Sequence, residues 1–167
     1  MSDKHVDQPT PALSPNPDSA GQIQTPLHLR DTGEAAFALV IDDEKDIREL
    51  VATTLRQLGI DSASFSTAKP AVASIDQRRP GIIFLDVALE QSDAYDVIRG
   101  LSEKHYDGIV QLMSSGRPWL LEALQRLAIR HGLTLCPPIQ KPVKEDMIRA
   151  VIARVGLAGC SSPIAKD

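Results

Sequence analysis

A chain of 167 residues, 43% hydrophobic and 24% charged, can bury one ordinary domain core and has no room for a second large domain. Its formal net charge of -4 excludes nucleic acid as the main partner, because affinity for a phosphate backbone comes from clustered Lys and Arg, and no such cluster is present. No apolar stretch approaches the roughly 18 residues of a membrane span, and no charged-then-apolar leader opens the chain, so a cytoplasmic protein without membrane contact is expected.

Residues 1–34 hold Pro9, Pro11, Pro15, Pro17 and Pro26 among Ser, Thr, Asp, Gln and Gly, with almost no periodic apolar signal. That is the composition of a disordered tail. From Ala35 onward, apolar runs alternate with helical patterns, the signature of βα units feeding a parallel sheet. The run Phe37 to Ile41 predicts a first strand. Ile47, Leu50, Val51, Leu55 and Leu58 then fall on one helical stripe that Gly59 can end. A weak strand near Ala63 to Phe65 and a short helix around Val72 to Ile75 follow, before Pro80. Ile82 to Leu85 predicts a third strand, and Val97, Ile98 and Leu101 the inward face of the next helix. Ile109 to Met113 reads as a fourth strand, and Leu120, Leu121, Leu124, Leu127 and Ala128 make the clearest amphipathic helix. Leu133 to Cys136 reads as a fifth strand, and Met147, Ile148, Val151, Ile152 and Val155 stripe the last helix. The expected organisation is a disordered segment 1–34, a domain over 35–156 and a short polar tail over 157–167, too small for an output module.

Two of these strands end in acid. Phe37 to Ile41 runs into Asp42-Asp43, and Ile82 to Leu85 runs into Asp86. Carboxylates at the tips of adjacent strands repel one another, and each is pushed toward its neutral form unless a cation lies between them. The economical cation is Mg2+, a hard ion held by one or two carboxylates and waters, often with a phosphate completing its shell. Ligands of open parallel sheets sit beyond the carboxyl ends of the strands. There the sequence also places Ser114, after the fourth strand, and Lys141, after the fifth. Cys136 and Cys160 are far apart and lack metal-site spacing. Both read as inert thiols in a reducing compartment, and His5, His28, His105 and His131 show no ligand spacing.

An acidic pair, a strand-end Asp, a strand-end Ser and a Lys-Pro, in this order, resemble the receiver domain of bacterial two-component response regulators over roughly Phe37 to Val155. The resemblance implies a flavodoxin-like (βα)5 fold, a doubly wound five-stranded parallel sheet in strand order 2-1-3-4-5. It implies that Asp86 is the phosphoacceptor, taking a phosphoryl group from a sensor histidine kinase or histidine phosphotransfer protein. Mg2+ would be bound by Asp43 directly, by Asp42 mostly through water, by Asp86 and by the backbone carbonyl of Ala88. Lys141 would contact a phosphoryl oxygen as a point charge, and the hydroxyl of Ser114 or of Ser115, with Ser114 preferred, would act as the switch. Trp119, at the start of the fourth helix, would be an interaction anchor on the output face, with a partly buried helix-start aromatic as the equal structural alternative. The protein would catalyse only its own phosphorylation and dephosphorylation. It would act by protein contact or as a phosphate sink, as a stand-alone receiver, and a homodimer is compatible with this reading.

Two positions depart from the usual pattern. The loop Asp86 to Ala94 has Glu90 where many relatives have Pro and Ala94 where many have Gly. Pro138 stands three residues before Lys141, where an aromatic is common, so the usual aromatic rotamer switch is not expected. Each residue alone has a structural alternative: Asp42-Asp43 as a helix cap, Asp86 as a turn residue, Lys141 as a solvated charge, Ser114 as a strand-end hydroxyl. Two whole-protein alternatives are a receiver-like scaffold that is never phosphorylated and a Mg-dependent aspartyl-phosphate phosphatase. The latter needs a second Asp two positions beyond the nucleophile, where this chain has Ala88.

Overall fold

The computed structural model describes residues 36–89 and 93–157. The expected tail over 1–34, Glu90 to Ser92 of the loop, and residues 158–167 lie outside them. In chain order the elements are β1 (Phe37–Ile41), α1 (Lys45–Gln57), β2 (Asp61–Phe65), α2 (Ala68–Ser74), β3 (Ile82–Asp86), α3 (Asp93–Glu103), β4 (Ile109–Ser114), α4 (Pro118–Arg130), β5 (Thr134–Leu135), β6 (Ile139–Gln140) and α5 (Glu145–Val155).

The strands are parallel and ordered β2-β1-β3-β4-β5, with β6 also pairing β4, as the resemblance implies. Period-two alternation divides the core between the two faces. Leu39, Ile41, Ile83, Leu85, Val110 and Leu112 pack with Ala71 of α2, Val97, Ile98 and Leu101 of α3, and Leu124 and Ala128 of α4. Ala38, Val40, Ile82, Phe84, Ile109 and Met113 face Val51 and Leu55 of α1 and Ile148, Val151, Ile152 and Val155 of α5. Both faces are covered, so β3 and β4 are buried throughout and read as continuous apolar runs. At about 1.5–3 kcal/mol per fully buried aliphatic side chain, these two faces supply most of the driving force. The chain leaves β1 for β2 on one side and returns for β3 on the other, which opens a crevice beyond the carboxyl ends of β1 and β3.

Three boundaries differ from those expected. Helix α2 begins at Ala68 rather than near Val72, because Pro70 falls in the first turn, where a missing N–H leaves no helical bond unmade. Leu157, expected in the tail, is buried against the face covered by α1 and α5. The fifth strand is in two pieces, Thr134–Leu135 and Ile139–Gln140, rather than one run over Leu133 to Cys136. Val110 pairs Leu135, but Met113 pairs Ile139, so three residues on this strand oppose two on β4. That is a bulge. Leu135 and Ile139 would share a face in an unbroken strand, yet they pack on opposite faces. Pro137 and Pro138 lie in the gap and have no N–H for the ladder. The buried Gln111 carboxamide spans it instead, Nε2 donating to the carbonyls of Pro137 at 2.8 Å and Leu112 at 3.0 Å. As expected, the glycine after α1, Gly59, adopts φ +74°, which only glycine takes without strain. Among the described residues, no helix is long and apolar enough to cross a membrane.

Candidate phosphoryl and metal site

Asp42 follows β1 immediately and is fully buried. Its main-chain N–H donates to the carbonyl of Phe65 at 3.1 Å, which ties it to β2. Its Oδ1 accepts the N–H of Glu44 at 2.9 Å, an Asx turn that leads into α1. The N-cap of α1 is Glu44 and no side chain caps the helix, so this carboxylate organises the turn before the helix without capping it. The other, Oδ2, is 2.9 Å from Lys141 Nζ, yet no aligned hydrogen bond reaches it, so this is an electrostatic contact to a buried oxygen with lone pairs to spare. Asp43, the next residue, is exposed.

Asp86 closes β3 and is buried. Its Oδ1 accepts the N–H of Ala88 at 3.1 Å, and its Oδ2 lies 3.1 Å from Lys141 Nζ. One oxygen from each of Asp42, Asp43 and Asp86 falls within 4.8 Å of the others. An all-oxygen, three-carboxylate cluster with one buried oxygen lacking a hydrogen bond fits a hard divalent cation. Lys141 follows β6, and its side chain is only 7% exposed. Besides Asp42 and Asp86 it contacts Glu44 Oε1 at 2.8 Å. The Lys141 N–H donates to the Ser114 carbonyl at 2.8 Å, locking the lysine to the end of β4. Ser114 is 2% exposed and lies one residue beyond the Asp86–Met113 register pair, whereas Ser115 is exposed.

Burial and the nearby negative charge of Asp86 outweigh the contacts with Lys141 and the Glu44 N–H, and raise the Asp42 carboxyl from 3.8 to about 6. For Lys141 burial alone acts downward, but the carboxylates of Glu44, Asp42 and Asp86 more than offset it and hold the ammonium well above its usual value.

Two residues of this site escaped the sequence reading. Arg48, one turn into α1, donates from Nη1 to the carbonyls of Asp42 at 2.7 Å and Asp43 at 2.9 Å, fixing the backbone of the acidic pair. Glu44 holds Lys141. The available signals were a basic residue one turn beyond the pair and an acid adjoining it, both too common on exposed helix starts to be read alone. Trp119, near the start of α4, is 68% exposed.

The family model described as response regulator receiver domain matches residues 38–153. The chain is 32% identical over 118 residues to the nitrogen assimilation regulatory protein NtrX of Azorhizobium caulinodans, covering 70% of this chain and 25% of NtrX. It is 26% identical over 124 residues to the probable transcriptional regulator ycf27 of Guillardia theta, covering 74% of this chain and 48% of that one. The chain thus spans about half or less of the length of these curated relatives. The solved structure of the chemotaxis protein CheY4 of Vibrio cholerae superposes with a TM-score of 0.62 at 18% identity, over 73% of this chain and 99% of that one, a likeness of fold.

Proposed function

Because this chain belongs to the response regulator receiver domain family, we propose that Asp86 accepts a phosphoryl group from a histidine kinase or a histidine phosphotransfer protein in the presence of Mg2+. The observation that carries this reading is the position of Lys141 Nζ, 3.1 Å from Asp86 Oδ2 and 2.9 Å from Asp42 Oδ2, beside three carboxylates that converge within 4.8 Å. A lysine only 7% exposed and held among acids at the crevice of the sheet is not the solvated charge of the structural alternative, which supports this reading.

In the reaction a carboxylate oxygen of Asp86 attacks phosphorus, the bond from phosphorus to the donor imidazole nitrogen breaks, and that nitrogen leaves with the electron pair. The Ala88 N–H on Oδ1 orients the carboxylate for attack. Lys141 turns from Asp86 to a phosphoryl oxygen and stabilises charge that the transfer brings in. Asp42, Asp43, Asp86 and the Ala88 carbonyl would hold Mg2+, which supplies the remaining neutralisation of the phosphoryl oxygens. Ser114, buried at the end of β4, would donate its hydroxyl to the phosphorylated Asp86 and draw the loop before α4 inward. The chain turns over only its own acyl phosphate, and output is by protein contact or by competition for phosphoryl groups in the cytoplasm.

Incubation with acetyl phosphate and magnesium tests this reading. The wild-type chain is expected to take up one phosphoryl group, lost on adding EDTA beforehand and absent in Asp86→Asn. Equal uptake by wild type and Asp86→Asn contradicts it.

A further inference from the structure

The phosphoacceptor reading leaves Glu44 without a role. Glu44 is the N-cap residue of α1, yet its side chain makes no capping hydrogen bond. Instead Oε1 reaches Lys141 Nζ at 2.8 Å, a residue 97 positions away in sequence. Its side chain is 59% exposed while that of Lys141 is 7% exposed. Of the three acids on the lysine, Asp42 and Asp86 approach from the buried floor and Glu44 alone approaches from solvent. The ammonium donates a hydrogen bond to Glu44 and lies in electrostatic contact with Asp42 and Asp86. To meet an incoming phosphoryl oxygen it must shift away from one of these carboxylates. The contact to Asp86 is replaced by the phosphoryl group itself, and the contact to Asp42 lies on the floor of the site. Glu44 is therefore the partner that holds the lysine toward the mouth, and it adds a negative charge where a doubly charged donor has to enter.

We propose, on the basis of the phosphoacceptor reading, that Glu44 is a donor-discriminating residue: it slows phosphorylation by small free anionic donors and leaves the site to a protein donor. A small dianion such as acetyl phosphate brings nothing to neutralise Glu44 and meets its field unshielded. A phosphohistidine domain covers the mouth with its own surface and can set a cationic or N–H group opposite the carboxylate. The discrimination is electrostatic, so it weakens as salt rises.

The test is the initial rate of label uptake from acetyl phosphate and from phosphoramidate, in magnesium, for wild type, Glu44→Gln and Glu44→Ala at low and high ionic strength. Both variants are expected to label faster than wild type by roughly three- to tenfold at low salt, the modest size that solvent screening leaves to one exposed charge. The gap is expected to shrink severalfold at about 1 M salt, where screening reaches ~3 Å. Glu44→Gln keeps the length and polarity of the side chain and removes only its charge. Melting temperatures close to wild type are expected, because the residue is largely exposed. Rates at or below wild type in both variants, or a gap unchanged by salt, overturn the proposal. Labelled wild type with an indifferent Glu44→Gln refutes the role of Glu44 alone, whereas no Asp86-dependent label in wild type refutes the phosphoacceptor reading and this proposal with it.

Discussion

The two edges of the sheet are built in opposite ways. On one side β2 pairs β1 without interruption, from Phe37 with Asp61 to Ile41 with Phe65. On the other, the fifth strand pairs β4 at two residues, skips across Pro137 and Pro138, and resumes at two more with its register displaced by one. The regular edge has the weaker sequence, since Asp61 to Phe65 leaves every residue at least partly exposed. Its service to the site is indirect: the Phe65 carbonyl anchors the backbone of Asp42. The interrupted edge delivers the lysine. A continuous ladder thus positions backbone, and a broken one, patched by Gln111, brings a charged side chain over buried carboxylates. Regularity of pairing and placement of chemistry are separate properties of this sheet.

Lys141→Met breaks the comparison most sharply. Removing the cation from the interrupted edge is expected to lower the rate of labelling by about a hundredfold, the usual cost of losing one charge-stabilising group in a transition state. Phe65→Ala, at the end of the regular edge, is expected to cost stability while leaving labelling of the folded protein within a few fold. Comparable losses of rate from both substitutions, measured as initial label uptake, contradict the separation.

Gln111→Glu replaces the two donors that span the gap with a carboxylate in a fully buried position. The expected loss is about 3 kcal/mol or more, because a buried charge is left without a partner. Ser64→Glu, at an exposed position of β2, is expected to change stability by no more than about 0.5 kcal/mol. Urea midpoints at pH 7.5 decide both.

The pH dependence sharpens what the Asp42 oxygens do. A folded-state value near 6, above the ordinary 3.8, means that the metal-free fold binds this proton more tightly than the unfolded chain does. The stabilisation is fully present below about pH 4 and is lost as pH rises through 6, by about 1–3 kcal/mol. In EDTA at neutral pH, Asp42→Asn is accordingly expected to raise the melting temperature by several degrees. A cation needs the deprotonated carboxylate, so magnesium affinity is expected to fall as pH drops below about 6. Calorimetric titrations between pH 5 and pH 8 that give one affinity throughout contradict this.

The smallest expected effect is a shift in amide exchange. Binding of beryllofluoride, a phosphoryl mimic, is expected to slow exchange in Gly116 to Leu120, next to Ser114. Changes confined to α1 contradict readout through the loop before α4.

Most of the fold was legible because both sheet faces are covered. Strands buried on both sides read as apolar runs, and Val40-Ile41-Asp42 and Phe84-Leu85-Asp86 mark strand ends because the apolar run breaks at a carboxylate there, although both carboxylates stay buried. The acidic pair and Asp86 were legible for that reason, Lys141 through the Lys-Pro of the resemblance, and the structure brings them together. The second half of the fifth strand was not: Ile139-Gln140 is two residues with no period to detect, and the bulge before it depends on contacts with β4. The start of α2 was hidden by Pro70, which reads as a break although the first turn accepts it. The ties from Glu44 to Lys141 and from Arg48 to the carbonyls of the pair are tertiary, and local spacing carries no signal for a partner 97 residues away.

The central claim is that Asp86 is the residue that carries the phosphoryl group, and trapping the acyl phosphate tests it most directly. Borohydride reduction converts a phosphorylated aspartate to homoserine, which peptide mass mapping locates. After treatment with acetyl phosphate and magnesium, homoserine is expected at position 86 and nowhere else, and none in a sample prepared in EDTA. Homoserine at Asp42, Asp43 or another acid, or none at position 86 in a chain that has taken up label, contradicts the account.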